Sequence, residues 1–244
     1  MLPTMLIDSE YRHHLQLPYK TYIEIYTNRI SPVFDNIDEE AKEKAEEAHP
    51  QMTAHLIPEY CDPSEYTDDA WQYGIEYYEN ISLMQYITKL MWISTMYQFW
   101  EQQLRKFLYK ELTRSGYIYV DKNNKEIEYK DFCTNIGKIK HFFLEFKVDL
   151  TSLQCWGKLE ELRLLANVIK HGDGGSATSL MNTRPSIYNS PNVSGNLLEL
   201  YKTTLNDQVI DVNEQDIKDY ADALIDFWEQ LLDRMVANLP KLYI

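Results

Sequence analysis

Glycine and proline are scarce in this chain, with 8 Gly and 9 Pro in 244 residues. That argues against a loop-rich all-β fold, which uses such residues at its many turns. Cysteine is scarcer still. Cys61, Cys133 and Cys155 share no C-x-x-C spacing, and an odd, scattered set points to reduced thiols and a cytoplasmic location. No Cys/His cluster has zinc-ligand spacing, and the adjacent "HH" at 13–14 is a poor ligand pair, so no metal is expected. "HGDGG" at 171–175 lacks the preceding strand and following helix of a nucleotide-binding fingerprint, and no cofactor is expected. Basic charge is also short. The 24 Lys and Arg face 38 Asp and Glu, a net charge of −14. This disfavours broad phosphate binding but leaves room for a small basic site. A long apolar run is missing too. The richest stretch, "LMQYITKLMWISTMYQFW" at 83–100, contains Lys89 and runs into Glu101, so it reads as a buried helix rather than a membrane span. "MLPTMLIDSEYRHH" has no basic segment followed by an apolar one and is not read as a signal peptide.

Helical periodicity is what the chain does have. Residues 19–48 read as one helix with a polar second half, "EEAKEKAEEA" at 39–48 being its solvated end. Pro50, Pro58 and Pro63 make 49–69 a connector. From there to Thr113 no proline follows Pro63. A helix starts near Ser64 or Asp68, and the pattern leaves open whether it is one helix or two broken near 74–82. Leu83, Ile87, Leu90, Met91, Tyr97, Leu104 and Leu108 recur at helical spacing. "YIYV", "DKNNK" and "EIEY" within 115–132 predict a small β-hairpin. Helices are expected at about 130–146, 151–171 and 214–238. Residues 172–207 are rich in Gly, Ser, Asn, Thr and Pro and predict a long, mobile loop. "QVIDV" at 208–212 reads as a short strand. The expected fold is therefore an all-α helical bundle with a hairpin insertion. An N-terminal helical extension and connector occupy 1–63, and the bundle occupies 64–244.

One helix carries a polar strip. On "LRLLANVIKHGDGG" at 162–175 and the residues before it, Leu159, Leu162, Leu165, Ala166 and Ile169 form one apolar face, and Leu164 and Val168 a second. Such a helix packs on two sides. Arg163, Asn167, Lys170 and His171 lie between the faces. Part of this has an ordinary explanation. Lys170 and His171 complement the helix dipole, Gly172 can cap the end, and Glu160 can pair with Arg163.

"ELRLLANVIKHGDG" at 161–174 resembles the signature helix of the HEPN superfamily. "YQFWEQQLRKFLYKEL" at 97–112 looks like the opening helix of such domains, and "DYADALIDFWEQLLDRM" at 219–235 like the closing one. The resemblance covers roughly 80–238. It implies an all-α bundle, commonly a homodimer, and in many members a metal-independent ribonuclease of toxin, CRISPR-associated or abortive-infection systems. It also implies an Arg with four to six residues between it and a His. Here Asn167 and His171 match. The motif arginine would fall at 166, where the chain has Ala166. Arg163 is separated from His171 by seven residues.

In metal-free RNA cleavage, His171 would supply the acid or base. Arg163 would bind phosphate and Asn167 would orient the imidazole. Lys170, Arg105, Lys138 and Lys140 are the expected RNA-contacting cations, on "LRKFLYKELTR" at 104–114 and "KIKHFFLEFK" at 138–147. The expectations that follow are a ribonuclease of a defence or toxin-antitoxin type system, or a catalytically inactive HEPN-like domain that binds RNA, nucleotide or a protein. A third is an interaction protein docking into a larger complex, its partner encoded in the same operon.

Overall fold

The computed structural model describes residues 9–55, 62–114, 116, 118–120, 124–190, 193 and 195–238, and these form an all-α helical bundle. Helix α1 is Ser9–Ile25, α2 Ile37–Thr53, α3 Thr67–Arg114, α4 Ile136–Glu145, α5 Trp156–His171, α6 Gly175–Thr183, α7 Leu197–Tyr201 and α8 Glu214–Asn238. Among the described residues no helix is long and apolar enough to cross a membrane.

The single helix expected over 19–48 is divided. After α1 the chain makes a π-helical turn, Tyr26–Ile30, then a 3-10 turn, Ser31–Phe34. Pro32 enters that turn as one of its first residues, where its missing N–H costs nothing. The connector begins later than Pro50 suggests. α2 runs through Pro50 to Thr53, and the Thr53 hydroxyl donates to the His49 carbonyl at 2.9 Å. Pro58 and Cys61 lie outside the described residues.

The question left open at 74–82 is answered by one 48-residue helix, about 72 Å long at 1.5 Å per residue. Asp62 caps the 3-10 turn before it by accepting from the Ser64 N–H, and Asp68 and Asp69 complement the dipole of its first turn. Gly74 sits inside this helix because α2 crosses there. A Cβ at 74 would stand 2.7 Å from the Ala41 carbonyl oxygen and 2.9 Å from the Ala45 methyl.

The C-terminal half of α3 packs with α5 and α8 around aromatic side chains. Trp100 meets Phe227 edge-on at 5.0 Å between centroids, and Phe107 meets Trp228 at 5.4 Å. α1 completes this core with Leu15, Tyr19 and Tyr26. Gln103 joins three helices. Its Oε1 accepts from the Tyr19 hydroxyl (2.5 Å) and the Trp228 indole (3.0 Å), while its Nε2 donates to the Leu15 carbonyl (3.2 Å). On the surface of the same contact, Arg12 of α1 pairs with Glu229 and Asp233 of α8.

Three local expectations are corrected. No hairpin is seen at 115–132, of which 115, 117 and 121–123 lie outside the described residues. Among the described residues of this segment there is no strand, only an isolated antiparallel bridge of Val120 with Glu126, beside which the Ile127 N–H donates to the Tyr119 carbonyl at 2.8 Å. The side chains of Tyr119 and Ile127 pack against the bundle core, Tyr119 stacking edge-on with Phe132 and Phe142. The loop expected over 172–207 contains α6 and α7. Ala177, Leu180, Ile187, Tyr188, Leu197 and Leu198 are buried there. The strand expected at 208–212 is an irregular segment pinned by Tyr86. The Tyr86 hydroxyl accepts from the N–H groups of Val209 (3.2 Å) and Ile210 (3.1 Å) and donates to the Thr204 carbonyl (2.8 Å). That supplies the backbone partners a neighbouring strand would have given.

Candidate functional site

α5 has the two-sided burial its wheel requires. Leu159, Leu162, Leu164, Leu165, Ala166, Val168 and Ile169 are all buried. Its end is capped as the sequence suggests: Gly172 turns at φ +72° and its N–H donates to the Val168 carbonyl at 2.8 Å. The same carbonyl accepts from the Thr204 hydroxyl at 3.2 Å.

The strip runs outward between the two buried faces. Arg163 and Asn167 are half-buried, while Lys170 and His171 are exposed. Arg163 is already engaged. Its Nε donates to Glu160 Oε2 at 2.9 Å and its Nη2 to Glu160 Oε1 at 2.7 Å. This two-bond fork raises the arginine's affinity for its proton and lowers the Glu160 carboxyl. Across the α3–α5 contact stand Tyr97 and Glu101, with the Tyr97 hydroxyl donating to Glu101 at 3.3 Å. Burial first, and the Glu101 charge second, push Tyr97 well above the usual phenol range.

Asn167 and His171 are four residues apart on one helix face, but among the described residues no hydrogen bond joins them. Arg163 and His171 are separated by about 12 Å of helix rise. Within one chain the guanidinium and the imidazole therefore do not meet around one phosphate. Ala166, at the motif arginine's place, is 4% exposed and belongs to the core. A longer side chain there would have to enter the packed core.

The other expected cations lie elsewhere. Arg105 donates to the carbonyls of Phe132 (2.6 Å), Lys130 (3.0 Å) and Tyr129, and its guanidinium lies 4.5 Å from the centre of the Tyr129 ring. It fastens the 129–132 turn to α3. Lys138 donates to the Thr134 hydroxyl at 2.9 Å, beside the Asn135 cap of α4. Lys140 lies 5.6 Å from the centre of the Trp156 ring. Trp156 opens α5 and His171 closes it, about 22 Å apart along the axis. Lys140 therefore stands by the opposite end of α5 from the histidine, while Arg105 and Lys138 are engaged with the 129–132 turn and Thr134.

A second polar cluster, which the sequence reading missed, links α5 to α8. Arg184 makes a fork to Asp216 (2.6 and 3.2 Å), donates to the Asp211 carbonyl (2.9 Å), and lies 3.7 Å from Glu161. Glu161 also accepts from Lys158 (3.1 Å) and from the Tyr220 hydroxyl (2.7 Å). Every charge in it has a partner, so its role is to fasten the chain between α6 and α8. The N-x-x-D spacing of Asn213 and Asp216 was the available signal: each side chain accepts from the other's backbone N–H.

No protein-family model, curated protein or solved structure matches this chain. The described residues form an all-helical protein without family assignment, and its α5 carries a polar strip between two buried faces.

Proposed function

We propose that the chain is a HEPN-like helical module of the cytoplasm that acts by binding a partner within a larger assembly, of the defence or toxin-antitoxin kind, rather than by cutting RNA on its own. The observation that carries this reading is the Arg163–Glu160 fork. The cation that would hold a phosphate is neutralised by its neighbour, and the position that would hold the motif arginine is the buried Ala166. Metal-free phosphoryl chemistry needs a free cation beside its acid or base. The test is incubation of the full chain with single-stranded and structured RNA. No cleavage is expected, with wild type and His171→Ala alike. Cleavage by wild type that His171→Ala abolishes would overturn the reading.

A second reading is favoured by one observation, the exposure of His171 next to Lys170 and one turn from Asn167. In a symmetric homodimer two such strips could face each other, one His171 acting as base and the other as acid. This reading requires a dimer by light scattering. It also requires a loss of about 10²–10⁴-fold in cleavage for His171→Ala at unchanged dimer size.

A further inference from the structure

α2 and the first third of α3 form an arm that stands apart from the bundle. α2 packs against α3 and the 3-10 turn leading into it. The seam is made of Ala41, Ala45, Ala48, Ala70 and Gly74, side chains too small to cover anything beyond each other. Three large residues of the arm face out on one side: Trp71, Ile75 and Tyr78, at i, i+4 and i+7 of α3, are 55%, 46% and 43% exposed. They flank a groove over the alanine seam, two cavities of about 460 and 370 Å³ that share Lys42 and Trp71. The arm is also where the chain's charge is concentrated. Residues 37–55 and 62–85 hold twelve Asp and Glu against two Lys, a net −10 of the chain's −14.

We infer that this groove is the docking site for a basic amphipathic helix of a partner protein, whose apolar face seats on Trp71, Ile75 and Tyr78 and whose lysines or arginines meet the acidic rim. The inference rests on the binding-module reading and names the partner's chemistry. An apolar stripe with a polar rim is the form in which helix-in-groove recognition is built. Two helices joined by a small-residue seam gain a third packing partner without rearrangement, since the seam already leaves the aromatic stripe outside. The charge selects among occupants. An anionic membrane or a nucleic acid is repelled by the net −10. The arm of a second copy brings the same charge and is repelled likewise. A helix with a cationic face gains on both counts.

The test uses the full chain and two labelled helical peptides of about 20 residues, about 30 Å long. One has a leucine face and lysines elsewhere; the other has the same leucine face with glutamates. Fluorescence anisotropy should show saturable binding of the lysine peptide, weaker at higher salt, and none of the glutamate peptide. Trp71→Ala and Tyr78→Ala should each weaken it about 10-fold or more, as loss of an aromatic anchor does. Met91→Ala, exposed on α3 beyond the arm, should leave it unchanged. Both aromatic sites are surface positions, and unchanged circular dichroism checks the variants' fold. No binding, equal binding of both peptides, or affinity unchanged in both aromatic variants would overturn the proposal. So would a dimer in sedimentation that Trp71→Ala dissociates, since the occupant would then be a second copy. The outcomes separate from those of the preceding section: RNA cleavage overturns the module reading and leaves the peptide titration standing, whereas failed peptide binding does the reverse.

Discussion

Gly74 and Ala41 touch so closely that a methyl group on the glycine would lie 2.7 Å from the alanine's carbonyl oxygen. The obstacle is backbone, which cannot turn aside as a side chain can. Gly74→Ala should therefore prise α2 from α3. The helix-propensity gain of about 1 kcal/mol is opposed by overpacking of about 1–3 kcal/mol. Hydrogen exchange should quicken over 37–53 and 67–82 and stay unchanged over 214–238. Uniform protection in the variant would show that the arm has room to spare.

Gln103→Leu removes one acceptor and strands two donors, the Tyr19 hydroxyl and the Trp228 indole. Both belong to side chains that are at most 1% exposed. Leaving a buried donor unpaired costs about 1–3 kcal/mol, so the variant should lose more stability in urea than Tyr19→Phe, which removes a donor along with its need. Equal losses would mean that water replaces the amide.

Arg184 holds the segment between α6 and α8. Arg184→Met leaves Asp216 and Glu161 with a lost partner in a largely buried place, an imbalance worth about 3–5 kcal/mol in comparable pairs. Proteolysis at 185–190 and 195–210 should be slow in the wild type, because Ile187, Tyr188, Leu197 and Leu198 are buried there, and fast in the variant. Rapid cutting of the wild type there would contradict the packing of Ile187, Tyr188, Leu197 and Leu198.

Ala166→Arg restores the spacing of the motif that the α5 strip resembles, yet it forces a guanidinium into a site that is 4% exposed. Burial of an unpaired charge is the dominant cost. The variant should unfold at a clearly lower temperature and gain no RNA-cleaving activity. A stable variant that cuts RNA would show that α5 can turn this position outward.

The pH dependence has two opposite contributions. Burial raises the Glu111 carboxyl above its ordinary 4.5, with the Arg114 charge opposing. The folded state thus prefers the protonated acid, so the stability this group contributes is full below about pH 4.5 and is lost as pH rises through the raised value. Glu111→Gln should stabilise the chain at pH 7 and make no difference at pH 4. Glu160 runs the other way. Its bond to Arg163 lowers its carboxyl, so its contribution is present above about pH 4.5 and is lost as pH falls through the lowered value. Glu160→Gln should cost stability at pH 7 and little in strong acid. Urea unfolding at several pH values reads both.

What the sequence by itself determined is local and periodic. The spacing of Leu159, Leu162, Leu164, Leu165, Val168 and Ile169 requires a helix covered on two sides. Gly172 requires it to end there, and the long proline-free stretch after Pro63 permits one continuous α3. These follow from interactions within a few residues of each other, which the order of side chains contains. The tertiary structure alone decided the rest. Alternation at 115–132 yields a single isolated bridge and no strand among the described residues, while the side chains of Tyr119 and Ile127 pack on the aromatic core. The polar segment 172–207 includes the helices α6 and α7, because Leu180, Leu197 and Leu198 are buried in the core, with α6 packed on α5. The four residues of the strip share a side of α5 by sequence. The pairing of Arg163 with Glu160, three residues apart on one helix, is local as well, whereas the placing of Lys140 at the far end of α5 from His171, and the engagement of Arg105 with the 129–132 turn, depend on how α3, α4 and α5 pack. Helical periodicity says which face of a segment is apolar; what covers that face is settled only by contacts between residues distant in sequence.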